Sequence, residues 1–329
     1  MSHERAGGVR GRLPLVSRAV SAFDGVAPPA AAAGTFICVG LSVVVTRYAV
    51  TQGDMLTIAF LRNGLAFLLL FPFICRALRE FGGVERLDRL WICLLGLSSF
   101  AAFPLLFTAA LRYTPATHGA LALPAVTPIL TLSLAAALGR ERWTGRKVTG
   151  IVFAALGVAA AISDATWMSG VPRDGDLVWL GDLLMVLAAA TIAGYNVLTK
   201  PLLDRYGALT LLSIGLGVGA GALSALVAVR AVWQGAAWPE FQRPEWVAIM
   251  ILGIASALSN WLWCWALSRT TATRVAVFIA LNPIVAMLGA VLFLGERMTA
   301  MLGVGLLLVL AGITLVNRQD PRSADRAPA

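Results

Sequence analysis

Ten stretches of this chain are long and apolar enough to cross a bilayer, and they leave almost nothing from which a soluble domain could be built. Runs with at most one charge cover 27 to 47, 55 to 75, 90 to 111, 115 to 138, 147 to 163, 177 to 199, 207 to 230, 246 to 268, 273 to 294 and 299 to 317. A hydrocarbon core is crossed by about 20 helical residues rising 1.5 Å each. The spacing predicts ten transmembrane helices and an all-α integral membrane protein. Composition agrees, with 59% hydrophobic and 13% charged residues, where a soluble domain carries about 25% charged. The longest polar connections, 76 to 89, 164 to 176 and 231 to 245, are too short to fold as domains. Function must therefore sit inside the helix bundle.

The net charge of +9 comes from basic residues in short runs between the apolar segments. No continuous basic face results, which argues against a nucleic-acid partner and makes the lipid bilayer the main surroundings. With the N-terminus taken as cytoplasmic, 19 of the 26 Lys and Arg fall on that side and six on the other, leaving Arg62 within a helix. The positive-inside rule then puts both termini in the cytoplasm of a bacterial-type cell, with the protein in its inner membrane. Residues 1–26 read as a basic leader ahead of a retained first helix, because the apolar run that follows is too long for a signal peptide. Residues 318–329 read as a cytoplasmic tail. Cys38, Cys75, Cys93 and Cys264 lie in or beside apolar segments, without a CxxC pair or clustered His. Neither a disulfide framework nor a metal site is expected, and no cofactor is called for.

A shift of 155 positions lays Trp91 on Trp246, Pro128 on Pro283, Glu141-Arg142 on Glu296-Arg297, Thr144 on Thr299, Gly150 on Gly305 and Gly157 on Gly312. With a one-residue adjustment Ala116-Thr117 also overlays Ala272-Thr273. The chain is thus a duplication, 27–163 and 177–317, each half holding five helices. Five is odd, so the second half enters the membrane from the opposite side. Inverted repeats let a midplane site open alternately to either face; the other meaning of such a duplication is a stable membrane scaffold that transports nothing.

Two segments carry a resemblance: "ATHGALALPAVTPILTLSLAAALGRERWTGRKVTGIVFAALGVAAAI" and "ATRVAVFIALNPIVAMLGAVLFLGERMTAMLGVGLLLVLAGITLV". Both resemble the EamA repeat of the drug/metabolite transporter superfamily, with Pro in the fourth helix of each half, a Gly-Glu-Arg corner and a glycine-spaced fifth helix. Arg62 in "FLRNGLAFLLL" is similar to the family's second-helix arginine. The first corner departs from the pattern, reading Gly-Arg-Glu-Arg. The resemblance implies a ten-helix secondary carrier with a central cavity lined by helices 3, 4, 8 and 9. It implies a small-molecule substrate, with export of an amino-acid-like metabolite preferred and uptake of a vitamin or nucleotide-like compound the alternative.

Several residues could serve such a carrier. Arg62 lies about eight residues into helix 2, roughly 12 Å deep, where a guanidinium is costly unless paired or wetted. It suits a bidentate anchor for a substrate carboxylate, and equally a clamp on helix-end carbonyls or an acid. Asp182, near the start of helix 6, is a candidate partner for Arg62 or a proton-binding group, or else a partner for its own helix dipole. His118, near the outer end of helix 4, is a second proton-coupling candidate and equally a structural histidine. On helix 8, Asn260, Trp261 and Trp265 could form an aromatic wall with one amide, or an interfacial belt. Phe103, in a stripe with Phe100 and Phe107, could line the cavity or pack. Thr127-Pro128 and Asn282-Pro283 could supply polar kinks in both halves. Asn196, beside Tyr195, rests on position alone. The ladders Gly150/Gly157 and Gly305/Gly312 mark close packing, between repeats or in a homodimer. The sequence offers no HExxH, Ser-His pair or paired acids, so an enzyme is not expected, and no GxxxxGK[ST] for direct ATP drive.

Overall fold

In the computed structural model, residues 27–81, 83–140, 143–168, 177–234, 241–269 and 277–317 are described. The basic leader, the C-terminal tail and the Glu141-Arg142 corner lie outside the described residues. The described chain is helical throughout: α1 Pro28–Gln52, α2 Met55–Phe81, α3 Arg86–Tyr113, α4 Ala116–Ala137, α5 Gly145–Met168, α6 Val178–Leu198, α7 Ala208–Gln234, α8 Arg243–Arg269, α9 Leu281–Leu294 and α10 Ala300–Asn317. A short helix, Lys200–Tyr206, links α6 to α7.

The surface is that of a protein solvated by hydrocarbon. Val232, Trp233, Leu292 and Phe293 are 73 to 86% exposed, an exposure of large apolar side chains that lipid accommodates better than water. Hydroxyls inside helices turn back on their own backbone: Thr35 Oγ1 donates to the Ala31 carbonyl at 3.0 Å and Thr46 Oγ1 to that of Ser42 at 2.6 Å. Such back-bonding is how a polar side chain is satisfied without water. Helices α4 and α9 both end on a left-handed glycine, Gly139 at φ 68° and Gly295 at φ 66°, a conformation that costs a residue with a Cβ and not a glycine.

The packing follows a pseudo-twofold. Helix α1 lies against α8 and α9, and its counterpart α6 lies against α3 and α4; α2 meets α8 as α7 meets α3. The like pairs α2/α7, α4/α9 and α5/α10 also meet. The α5/α10 crossing proves the axis at residue level. A Cβ on Gly150 would come within 2.8 Å of the Gly312 carbonyl oxygen, and one on Gly157 within 2.6 Å of that of Gly305. Gly150 corresponds to Gly305 and Gly157 to Gly312, so the two contacts are one contact made twice. That is the isologous pattern of a twofold, here between antiparallel helices. The glycine ladders therefore join the two halves of one chain.

The symmetry breaks in α3. Residues Ser98–Ala102 form a π-helical turn, which frees a carbonyl from the regular ladder; Asn63 Nδ2 donates to the Phe100 carbonyl at 2.6 Å. Gly215 and Gly219 of α7 let the bulged backbone approach, since a Cβ on Gly219 would lie 2.6 Å from the Phe100 carbonyl oxygen. The counterpart α8 runs unbroken. The paired proline kinks expected from the repeat also differ. Pro128 interrupts the middle of α4, whereas Pro283 occupies the first turn of α9, where its missing N–H has no intrahelical partner to lose. In α9 the irregularity is instead a 3₁₀ turn, Val277–Ala280, just ahead of the helix.

Candidate functional site

Arg62 reaches from α2 to α8, and so from one half to the other. Its Nε donates to Ser256 Oγ at 2.7 Å. Ser256 is 5% exposed and lies at the centre of α8, equidistant from Arg243 and Arg269. The side chain as a whole is half-buried, but its Nη1 is fully enclosed and meets no hydrogen-bond partner. A guanidinium presents five N–H donors in a fixed fork, and leaving one enclosed and unsatisfied costs about 1–3 kcal/mol or more. The structure does not bring Asp182 to it.

Around this arginine the interior is aromatic and small. Phe100 meets Tyr195 edge-on at 5.9 Å, and Phe67, Phe100 and Trp261 pack on the cluster of Ala66, Leu70, Ile74, Leu216 and Ala257. An apolar cavity beside Trp261, bounded by α2, α7 and α8, has a free volume of about 10 Å³, enough for roughly one water. This small cavity is formed by α2, α7 and α8, of which α8 alone is among the helices 3, 4, 8 and 9 expected to line a chamber. Ser256 and Asn63 were not singled out by sequence, because a serine or asparagine in a long apolar helix carries no pattern of its own.

The other expected residues are dispersed. Trp265 is buried on the face of α8 that meets Ala31, Ala32 and Phe36 of α1, with the Arg269 guanidinium 5.0 Å from its ring centre. Trp261 packs on the same α1/α8 cluster as Trp265 and also bounds the small cavity, and Asn260 is half-buried beside it. Phe103 stacks on Phe107 at 5.6 Å and packs on the central core. Thr127 Oγ1 is taken up by the Leu123 carbonyl at 2.7 Å. Asn282 is buried beside Pro283, with its Oδ1 enclosed and unpartnered, and its backbone lies against Gly40 of α1. Asn196 is exposed on the surface of α6 and does not line the interior; one helical step of about 100° separates it from Tyr195, which does face inward. His118, 4% exposed, and Asp182 face each other across α4 and α6, with Nδ1 and Oδ1 3.8 Å apart.

Polar ties close both ends of the bundle. At the end holding Gly53, Thr114 and Glu296, Arg47 of α1 donates to the carbonyls of Leu111 and Arg112 at the end of α3, and Arg112 donates back to those of Val50 and Gly53. Cations there also suit the negative ends of both helix dipoles. Glu296 Oε1 and Oε2 accept the backbone N–H groups of Ala116 and Thr117 at 2.8 and 3.0 Å, so the corner of the second half caps α4 of the first. Asp54 pairs with Arg230 at 2.5 Å and accepts from the N–H and hydroxyl of Thr57. Burial pushes the Asp54 carboxyl up, but Arg230 and Thr57 outweigh it and hold it below the usual carboxylate range. At the opposite end Asp88 accepts from Arg205 at 3.0 Å and from the Tyr206 hydroxyl at 2.7 Å, which raises the pKa of both donors. Arg140 there donates to the Val197 carbonyl at 2.6 Å. Of these residues, Glu296 and Arg140 belong to the corner that the sequence repeats.

The comparisons with known proteins agree with this architecture. The model of the EamA-like transporter family matches residues 30–163 and 179–318. An "uncharacterized transporter" of Archaeoglobus fulgidus is 27% identical over 88% of this chain and 94% of its own length. A Streptantibioticus cattleyicolor protein named "probable terminal-alkyne amino-acid exporter" is 31% identical over 69% of this chain and 73% of its own. An Escherichia coli protein named "probable amino-acid metabolite efflux pump" is 26% identical over 65% and 72%. A solved crystal structure aligns with a TM-score of 0.57 over 90% of this chain and 98% of that one at 18% identity, a likeness of fold. With two matched repeats covering nearly all of a ten-helix membrane bundle, the chain belongs to the EamA-like transporter family.

Proposed function

We propose that the protein is a secondary carrier that exports an amino-acid-like metabolite across a bacterial-type inner membrane by alternating access. The observation that carries this is the Arg62 guanidinium, which bridges the two halves through Ser256 while keeping Nη1 enclosed and unpartnered. An unmet donor in that position is suited to a carboxylate, which accepts two parallel N–H bonds from one guanidinium. The apolar and aromatic side chains of the neighbouring cluster suit the remainder of such a solute. The twofold arrangement supports alternating access, because exchanging the conformations of the halves would open the site to the opposite face. Export follows the names of the exporter and efflux-pump relatives. In this reading both termini are cytoplasmic, and the end bearing Glu296 faces outward.

The test is counterflow in liposomes, using purified protein and a panel of radiolabelled L-amino acids. Saturable exchange is expected, and Arg62→Ala should lower it by about 10- to 150-fold, the equivalent of losing one charged hydrogen bond of roughly 1.5–3 kcal/mol. Its unfolding transition in detergent should stay close to wild type. A variant that unfolds as readily as it loses exchange would make Arg62 a clamp, and wild-type silence across amino acids with folded protein would refute the substrate class.

A further inference from the structure

His118 and Asp182 are acid–base groups that the carboxylate site leaves unused, and they sit where the halves must move. His118 is on α4 of the first half and Asp182 on α6 of the second. The histidine is buried, its Nδ1 lacks a hydrogen-bond partner, and the carboxylate oxygen stands 3.8 Å away. A charge-assisted N–H to carboxylate bond closes to about 2.7–2.9 Å. The pair is therefore roughly 1 Å from a bond that requires a proton on Nδ1.

The surrounding charges are committed elsewhere. The corner places Glu296 on the N–H groups of Ala116 and Thr117. From α1, Arg47 holds the carbonyls at the end of α3; from α3, Arg112 holds those at the end of α1. Tyr113 of α3 lies against Gly181, next to Asp182. The described side chains of α9 and α10 include no titratable group, and on α5 the described charged side chains, Arg146 and Lys147, belong to the opposite end. Asp182 makes no other ion pair among the described residues. The repeat gives the pair no twin, since the register that lays Ala116-Thr117 on Ala272-Thr273 puts Arg274 at the position of His118, and the first turn of α1, Pro28-Pro29-Ala30-Ala31, holds no acid to match Asp182. Among the described residues a His–Asp pair of this kind stands at one end of the bundle only.

We propose that His118 and Asp182 form a proton-binding site that couples solute movement to proton flow in the opposite direction. A proton taken up on Nδ1 creates an imidazolium facing the Asp182 carboxylate and draws α4 and α6 together. Its release leaves a carboxylate facing a neutral ring and loosens the contact between halves. This rests on the carrier reading above, and the experiment separates the two.

Proteoliposomes loaded with pyranine and the most rapidly exchanged radiolabelled L-amino acid are measured twice, by counterflow without a gradient and by accumulation under an imposed pH gradient. Coupling of one proton per solute predicts about tenfold accumulation for each pH unit, with a matching proton movement. His118→Gln and Asp182→Asn should each retain counterflow while accumulation falls to the level without a gradient, and Asp182→Glu should restore part of it. Wild type that exchanges but ignores the gradient overturns the proton site and leaves the carrier standing. Variants that still accumulate, or that lose counterflow as well, also overturn it. Wild type without exchange refutes the carrier reading and the coupling with it.

Discussion

Removing Glu296 should separate the two halves at the end it caps. The carboxylate accepts two N–H groups at the start of α4, at 2.8 and 3.0 Å, from a corner that belongs to the other half. Loss of a helix cap costs about 0.5–2 kcal/mol, and loss of an anion at a helix N-terminus roughly 0.3–1 kcal/mol more. Glu296→Ala is thus expected to cost about 1–3 kcal/mol. Glu296→Gln keeps one acceptor oxygen and one of the two bonds, and should cost roughly half as much. Glu296→Asp keeps the charge on a side chain one methylene shorter and should fall between. The assay is equilibrium unfolding in mixed micelles, followed by the fluorescence of the ten tryptophans. Two results would refute the reasoning: an alanine variant within about 0.3 kcal/mol of wild type, or a glutamine variant that costs as much as the alanine.

Two further outcomes follow from the polar contacts. Asn63→Leu leaves the Phe100 carbonyl in the π turn without its partner, and should cost about 1–3 kcal/mol in the same unfolding assay; no measurable loss would mean that the bulged carbonyl is satisfied otherwise. Asp54 is held below its ordinary pKa, so the stability it adds is present above the unfolded value of about 3.9 and is lost as the pH falls through the lower folded value. The difference in unfolding midpoint between wild type and Asp54→Asn should therefore be constant near neutral pH and shrink below about pH 4; a difference that grows on acidification would contradict it.

The architecture was open to sequence reading because its signals are long and repeated. Helix lengths follow from hydrocarbon thickness, and the 155-residue offset pairs Gly150 with Gly305 and Gly157 with Gly312, the residues that meet on the axis. The site was less legible. Arg62 stood out because a charge in an apolar run is rare, but Ser256, its partner, lies 194 positions away in a helix with no polar pattern. The π turn is invisible for a similar reason: Ser98–Ala102 reads as ordinary helix, and only the glycines of α7 that face it make room for the bulge. Asn196 was misplaced because helix position without phase does not say which side a residue faces. That Trp261 reaches the α2 and α7 side while sharing the α1-facing cluster of Trp265 depends on neighbours that spacing within α8 cannot reveal.

The glycine crossing of α5 and α10 has an implication for direction. Two separate copies joined by that contact would form an antiparallel pair, with every side chain present once near each membrane surface. Such a pair would look identical from either compartment. Joined in one chain, the halves keep the shared crossing but can change independently, so His118 and Asp182 stand at one surface with no duplicate at the other. Covalent fusion thereby gives a symmetric scaffold a distinguishable top and bottom, which a homodimer of identical half-length chains could not encode.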